Sequence, residues 1–107
     1  MADFKVRWTE TASLDLERIV TFIAEESPAR ALAALAQVER RCRTLSEFPE
    51  RGRIVPELRA VDVAVYRELI EGPWRIVYRY DVDLVQVMAV LDARRDLSSL
   101  LLERLVR

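Results

Sequence analysis

The first regular pattern in the chain is an alternation of apolar and polar side chains. It covers residues 4–8, with Phe4, Val6 and Trp8 at the apolar positions and Lys5 and Arg7 between them. Because successive side chains of a strand point to opposite faces, this period of two predicts a strand with one buried face.

Two helical patterns follow the strand. Thr9 is suited to cap a first helix, whose apolar residues recur at spacings of 4, 3 and 4 as Ala12, Leu16, Ile19 and Ile23. Ser27 and Pro28 start a second helix, predicted to run to about Glu47, with apolar residues Ala31, Leu35, Val38, Cys42 and Leu45. Because the join is short, we expect an antiparallel helical hairpin. Cys42 lies on the apolar stripe and is interpreted as a buried hydrophobe, not a reactive thiol.

The second half of the chain favours strands. Phe48-Pro49 ends the second helix, and residues 49–62 carry proline and glycine without a sustained period, which is typical of a long surface loop. Residues 63–70, 74–80 and 84–91 are rich in strand formers and predict an antiparallel meander, the last strand being covered on both faces. Asp96 can cap a final helix that contains Leu97, Leu100, Leu101 and Leu105.

These elements give the order β-α-α-β-β-β-α in one domain over residues 1–107. We predict an α+β fold in which the helical hairpin packs on a small, mainly antiparallel sheet of about four strands. In the strand over residues 74–80, one face carries Trp74, Ile76, Tyr78 and Tyr80, and the other carries Arg75, Val77 and Arg79.

Composition narrows the chemistry. The 107 residues include 51% apolar residues, 17 basic and 18 acidic residues, one cysteine and no histidine. The lack of histidine excludes Ser-His and Cys-His nucleophile pairs and histidine-ligated zinc. Because metal-ligand spacings and a phosphate loop are also missing from the sequence, we expect no metal or other cofactor.

A net charge of −1 argues against a broad nucleic-acid surface. Since no apolar run approaches ~18 residues and the N-terminus lacks a signal-peptide core, we expect a cytoplasmic protein without a membrane partner.

The arginines are the candidate functional residues. Sixteen of the 17 basic residues are arginine and only Lys5 is lysine, which also fits a general compositional bias. Arg75 and Arg79 share a strand face, roughly 13 Å apart by strand rise. Other arginines lie nearby in the predicted topology: Arg51, Arg53 and Arg59 in the loop, Arg67 on the preceding strand, and Arg94 and Arg95 after the last strand. They predict either a modest basic surface or solvated positions paired with acidic residues.

The order of the elements and several short motifs resemble the RelE/ParE superfamily of type II toxin–antitoxin toxins. In chain order, the motifs are Trp8-Thr9 with Ala12 and Leu16, Phe48-Pro49, Gly52-Arg53, Pro56-Glu57-Leu58, Tyr66-Arg67-Glu68-Leu69, Trp74-Arg75-Ile76-Val77-Tyr78-Arg79, and the stretch 90–97. They cover nearly the whole chain.

The resemblance implies one of two activities. RelE-like members are ribosome-dependent mRNA endonucleases, for which the arginine roles would fall to Arg53, Arg75, Arg79, Arg94 and Arg95. ParE-like members poison DNA gyrase instead. RelE-like enzymes also use a tyrosine or histidine near the C-terminus, and this chain has no histidine and no tyrosine beyond Tyr80. We therefore favour gyrase as the target, contacted by Arg53, Arg67, Arg75, Arg79, Arg94 and Arg95; an mRNA interferase acting on the ribosome and a non-toxic interaction module are the alternatives.

The same resemblance implies a protein partner. We expect a cognate antitoxin whose disordered C-terminal segment folds on the toxin, which gives a toxin–antitoxin hetero-oligomer. The candidate antitoxin-binding residues are Leu16 and Ile23 on the hairpin and Leu100 and Leu101 on the last helix. The run Leu100-Leu101-Leu102 covers more than one helix face, which either a partner or the core of the chain itself can bury.

Overall fold

The computed structural model describes residues 3–93. Its elements are β1 (Lys5–Trp8), α1 (Glu10–Ala24), α2 (Pro28–Arg43), β2 (Arg53–Ile54), α3 (Pro56–Arg59), β3 (Arg67–Glu71), β4 (Trp74–Asp81) and β5 (Leu84–Asp92), with 3-10 turns at Thr44–Ser46 and Pro49–Arg51. The predicted final helix lies outside the described residues. No helix within residues 3–93 combines the length and the apolar character needed to cross a membrane.

The helical hairpin forms as the caps predict. The Thr9 hydroxyl oxygen accepts a hydrogen bond from the Ala12 N–H at 3.1 Å, and the Ser27 hydroxyl oxygen accepts from the Arg30 N–H at 3.2 Å. The second helix ends at Arg43, earlier than the predicted Glu47, because the chain tightens there into a 3-10 turn. The Thr44 hydroxyl donates to the Arg41 carbonyl at 2.6 Å, which satisfies one of the free carbonyls of the helix end.

Within residues 3–93 the sheet has five strands, one more than predicted, in the order β1-β5-β4-β3-β2. Its strands pair antiparallel except β1, which runs parallel to β5 and places Lys5 opposite Leu84 and Trp8 opposite Val87. The prediction of a mainly antiparallel sheet is therefore confirmed. The extra strand, β2, comes from the segment predicted to be a loop. The strand predicted from Val63 begins only at Arg67, because the chain first turns at Asp62, whose φ is 65°.

One core cluster lies between the helical hairpin and the sheet. Its buried residues come from both layers: Ala12, Leu16, Val38, Cys42, Leu45, Leu69, Ile76, Tyr78, Val85, Val87 and Val90. The apolar side chains of β1 pack against this cluster, as its alternation predicts. Burial raises the pKa of the Cys42 thiol to about 12, so the interpretation of this residue as a buried hydrophobe is confirmed.

A second core cluster lies on the opposite face of the sheet. The segment 55–66, which includes α3, covers that face and buries Val55, Leu58, Tyr66, Val77, Ala89 and Leu91. The prediction of a surface loop over residues 49–62 is therefore wrong for residues 55–62, which pack together with residues 63–66 on this face of the sheet. Because β5 contributes to both clusters, its prediction as a strand covered on both faces is confirmed for the part that carries Ala89 and Leu91, but not for the part near Gln86. A β-bulge opposite Val77 and Tyr78 shifts the alternation of β5 between Val87 and Ala89.

Candidate functional site

A buried network of ion pairs lies beneath the covering segment 55–66. The Arg75 guanidinium donates from Nε to Glu68 at 2.6 Å and from its two terminal nitrogens to the two oxygens of Glu57, each at 2.6 Å. The Nε of Arg53 donates to the other oxygen of Glu68 at 2.7 Å. Arg75 is 5% exposed and Glu68 is 1% exposed. The two carboxylates therefore satisfy this guanidinium inside the protein.

The ion pairs of the network favour the charged forms of Glu57 and Arg75. The hydrogen bonds from Arg75 hold the pKa of the Glu57 carboxyl below its ordinary value, against a smaller opposing effect of burial. The same contacts raise the pKa of Arg75 above its already high value. An arginine held in this way ties α3 to the sheet. For Arg75 to touch a target, the segment that contains Glu57 would first have to move away.

A second cluster fixes the turn before β2. The buried Tyr78 hydroxyl donates to the Pro49 carbonyl at 2.6 Å and accepts from the Gly52 N–H at 2.9 Å. Burial raises the pKa of this phenol, so it stays protonated at neutral pH. A Cβ atom at Gly52 would lie 2.6 Å from both the Glu68 carbonyl oxygen and the Tyr78 hydroxyl, which explains the glycine here by close approach of the backbone.

Arg67 lies beside this turn, at the edge of the helical layer. It donates to the Gly52 carbonyl at 2.7 Å and to the Glu50 carbonyl at 3.3 Å. Its guanidinium carbon is 6.0 Å from the centroid of the Tyr80 ring, and Phe4 meets that ring edge-on at 5.9 Å. Arg67 therefore stabilises the turn while it remains partly accessible.

The half of the second sheet face that segment 55–66 leaves uncovered carries polar and cationic residues. The strand register pairs Arg7 with Gln86 and Gln86 with Arg79, so these side chains form one row across three adjacent strands. Lys5 lies on the same face of β1, two residues before Arg7. We call Lys5, Arg7, Arg79 and Gln86 the open face. The Arg79 guanidinium carbon lies 5.9 Å from the centroid of the Tyr66 ring, at the boundary with the covered half.

The structure thus separates the predicted site residues. Arg75 and Arg79 share a sheet face, as predicted, but one is buried in ion pairs and the other belongs to the open face. Arg53 is exposed and bound to Glu68, and Arg67 faces the opposite side of the sheet, towards Tyr80. Arg94, Arg95, Leu100 and Leu101 lie outside the described residues. The assignment of these residues to target binding stays a prediction.

The candidate antitoxin-binding residues of the hairpin lie in different environments. Leu16 is buried and its side chain forms part of the floor of a groove of about 380 Å³, lined also by Trp8, Val20 and Leu35. Ile23 is half-buried near the end of α1. Leu16 therefore stays a candidate contact, whereas Ile23 is not among the residues that line the groove.

Sequence reasoning missed Lys5, Arg7 and Gln86. The alternation of β1 placed the two cations on its polar side, but nothing in the local sequence shows that β1 pairs with β5. Within residues 3–93, no group of three His, Cys, Asp or Glu side chains is arranged to hold a metal ion.

Comparisons with known proteins agree with this architecture. The family described as "ParE toxin of type II toxin-antitoxin system, parDE" matches residues 6–97. Two proteins of Caulobacter vibrioides are similar over 92 residues, or 85% of this chain: "Toxin RelE2", 32% identical and covered over 97% of its length, and "Toxin ParE3", 31% identical and covered over 88%.

Solved structures show the same fold. A chain of the chromosomal ParDE toxin–antitoxin system from P. aeruginosa superposes with a TM-score of 0.71 at 20% identity, over 85% of this chain and 97% of that one. A chain of the RelBE2 toxin–antitoxin complex from Mycobacterium tuberculosis superposes with a TM-score of 0.59 at 29% identity, over 86% and 93%. With a family match over most of the chain and relatives above 30% identity, the chain belongs to the ParE toxin family of type II toxin–antitoxin systems, within the RelE/ParE superfamily.

Proposed function

We propose that this toxin inhibits DNA gyrase and that a cognate antitoxin neutralises it. The family match to ParE toxins supports the first part, although similar relatives carry both RelE and ParE names. The two similar solved structures are toxin–antitoxin systems, which supports the second part.

The observation that carries the proposal is the lack of histidine together with the placement of the tyrosines, the two residue types that the resemblance to RelE-like enzymes leads us to expect near the reacting phosphate. Cleavage of RNA by its 2′-hydroxyl needs a proton acceptor and a proton donor near the scissile phosphate. The chain has no histidine, and its three tyrosines all lie within the described residues. Tyr78 and Tyr66 are buried, and Tyr80, which is 36% exposed, packs its ring against Phe4 and Arg67. A toxin that acts by binding needs none of these groups.

The antitoxin has an apolar groove to occupy on the hairpin. Trp8, Leu16, Val20 and Leu35 line it, and Glu17 and Glu39 lie at its polar margin. An amphipathic segment that folds on binding buries its apolar side in such a groove. We expect antitoxin lacking its C-terminal segment to lose both binding and neutralisation. Neutralisation by that truncated antitoxin would contradict this part of the proposal.

The test of target choice uses purified components. Toxin is added to gyrase, ATP and supercoiled plasmid, and the reaction is stopped with detergent and protease before electrophoresis. We expect linear plasmid that depends on both gyrase and toxin and that disappears when antitoxin is added first. In cells, expression of the toxin alone should induce the DNA-damage response and filamentation.

An mRNA interferase is the second candidate, because Arg67 and the exposed edge of Tyr80 lie together at one surface. It predicts cleavage of translated mRNA in a purified translation system, with intact chromosomes in arrested cells. Arg79→Ala with Arg95→Ala should then abolish toxicity and leave antitoxin binding intact. Linear plasmid without mRNA cleavage would reject the interferase, and the reverse result would reject gyrase inhibition.

A further inference from the structure

The open face brings together cations from opposite ends of the chain. Strands of a sheet lie about 4.8 Å apart, so the Cα atoms of Arg7 and Arg79, on strands either side of β5, are roughly 10 Å apart. Lys5 and Arg7 are two residues apart on β1, about 7 Å by strand rise. Gln86 lies between the two arginines and offers both a donor and an acceptor. Three cations therefore lie around one amide on this face of the sheet.

These cations are not used by the ion pairs of the described residues. Within residues 3–93, the ion pairs join Arg41 to Glu71 and Arg53 to Glu68. Arg75 pairs with both Glu57 and Glu68. Lys5 and Arg7 are exposed, and Arg79 contacts the Tyr66 ring instead of a carboxylate. The covering segment thus neutralises the buried Arg75, while the open face keeps its charge.

The surroundings of the open face favour an acidic protein over nucleic acid. The chain as a whole carries a net charge of −1, so it lacks the basic excess that is typical of proteins that bind a long phosphate backbone. Asp81 and Asp83 lie at the hairpin end of the same face, beside a concavity of about 260 Å³ that Arg79 and Gln86 also line. Three cations bounded by two carboxylates match a short acidic patch. A phosphate backbone that continued past Arg79 would instead be repelled by the carboxylates of Asp81 and Asp83.

We infer that the open face of Lys5, Arg7, Arg79 and Gln86 is the surface by which the toxin binds an acidic patch on its target protein. This inference rests on the proposed function where it takes the target to be gyrase. The arginine forks supply bidentate contacts to carboxylates, and Gln86 fixes their register. The inference adds β1 to the target-binding surface and leaves Arg75 out of it.

The test compares charge reversals that have equal effects on net charge. Lys5→Glu with Arg7→Glu changes two exposed side chains of β1, so the fold has little to lose. Arg18→Glu with Arg30→Glu changes two exposed side chains of the hairpin and serves as the matched control. We expect the β1 pair to weaken gyrase binding and plasmid linearisation by on the order of tenfold or more. The control should stay within about twofold, and antitoxin binding by the β1 pair should be unchanged.

The outcomes separate the inference from the proposed function. Wild-type toxin that does not bind gyrase defeats gyrase inhibition, and growth arrest then tests the open face alone: loss of arrest in the β1 pair supports it, and full arrest overturns it. If the β1 pair variant linearises plasmid as efficiently as wild-type toxin, the inference is overturned and the proposed function still stands. Tight binding of wild-type toxin to a DNA fragment without gyrase, lost in the β1 pair, would assign the surface to phosphates and also overturn the inference.

Discussion

At the scale of single residues, Glu68 is the most constrained charged group that the structure shows. Its carboxylate has no exposed side-chain surface and accepts hydrogen bonds from Arg53 and Arg75. Arg53 has a side chain that is mostly in water, whereas Arg75 is enclosed. The two contacts therefore differ in their energetic weight, because solvent screens one and not the other.

Removal of the buried carboxylate should be costly. Glu68→Ala leaves the Nε of Arg75 buried without its partner, and we expect the free energy of unfolding to fall by about 3 kcal/mol. Arg53→Ala removes an exposed partner and should cost less than about 1 kcal/mol. Urea unfolding followed by circular dichroism measures both. Equal losses in the two variants would show that the buried contact has no special weight.

Glu57 predicts a pH dependence of stability. Its pKa in the folded protein lies below the ordinary value of 4.5 because Arg75 donates two hydrogen bonds to it. A carboxyl with a lowered folded pKa contributes stability that is complete above its unfolded pKa and is lost as pH falls through the folded value. We therefore expect the stability difference between wild type and Glu57→Gln to be greatest near neutral pH and to shrink below pH 4.5. A difference that grew on acidification would contradict this sign.

At the scale of elements, segment 55–66 shows where local sequence was insufficient. Its proline, Pro56, and its lack of a sustained period do indicate an irregular chain, but they give no sign that Val55, Leu58 and Tyr66 face the same side. That arrangement arises because a short α3 turns the chain and the Val55 N–H bonds to the Tyr66 carbonyl at 3.0 Å. Burial of these side chains is a tertiary property, and a segment without a regular period does not display it.

The covering segment should therefore contribute to stability as a core element does. Leu58→Ala deletes a side chain that is 1% exposed, and we expect a loss of about 3 kcal/mol in the free energy of unfolding. Val61→Ala, at an exposed position of the same segment, should change it by less than about 0.5 kcal/mol. Thermal and urea unfolding test the pair. If Leu58→Ala were as mild as its control, the segment would not be packed as described.

The regular elements were predictable for a physical reason. The period of β1, the caps Thr9 and Ser27, and the apolar stripe through Cys42 each depend on neighbours within a turn or two of chain, so sequence displays them directly. The candidate site depended on pairings between distant residues. Arg75 and Arg79 look equivalent by spacing, and only the carboxylates of Glu57 and Glu68 distinguish them.

At the scale of the whole molecule, the sheet face opposite the helical hairpin has a covered half and an open half. One half is closed by segment 55–66 and holds a balanced set of charges. The other half is open and holds cations without carboxylate partners among the described residues. The net charge of −1 sums all charged residues of the chain, so composition alone does not reveal the open face.

The parallel pairing of β1 with β5 has a consequence for synthesis. The strands of the meander β3-β4-β5 pair with neighbours along the chain. In contrast, β1 pairs with a strand nearly 80 residues later in the sequence, with Lys5 opposite Leu84. A nascent chain on the ribosome therefore carries Lys5 and Arg7 on an unpaired segment until β5 has emerged. Gln86 and Arg79 join them only then. A product truncated before β5 has no such surface, so the open face forms only after Leu84 and the residues that follow it have been synthesised.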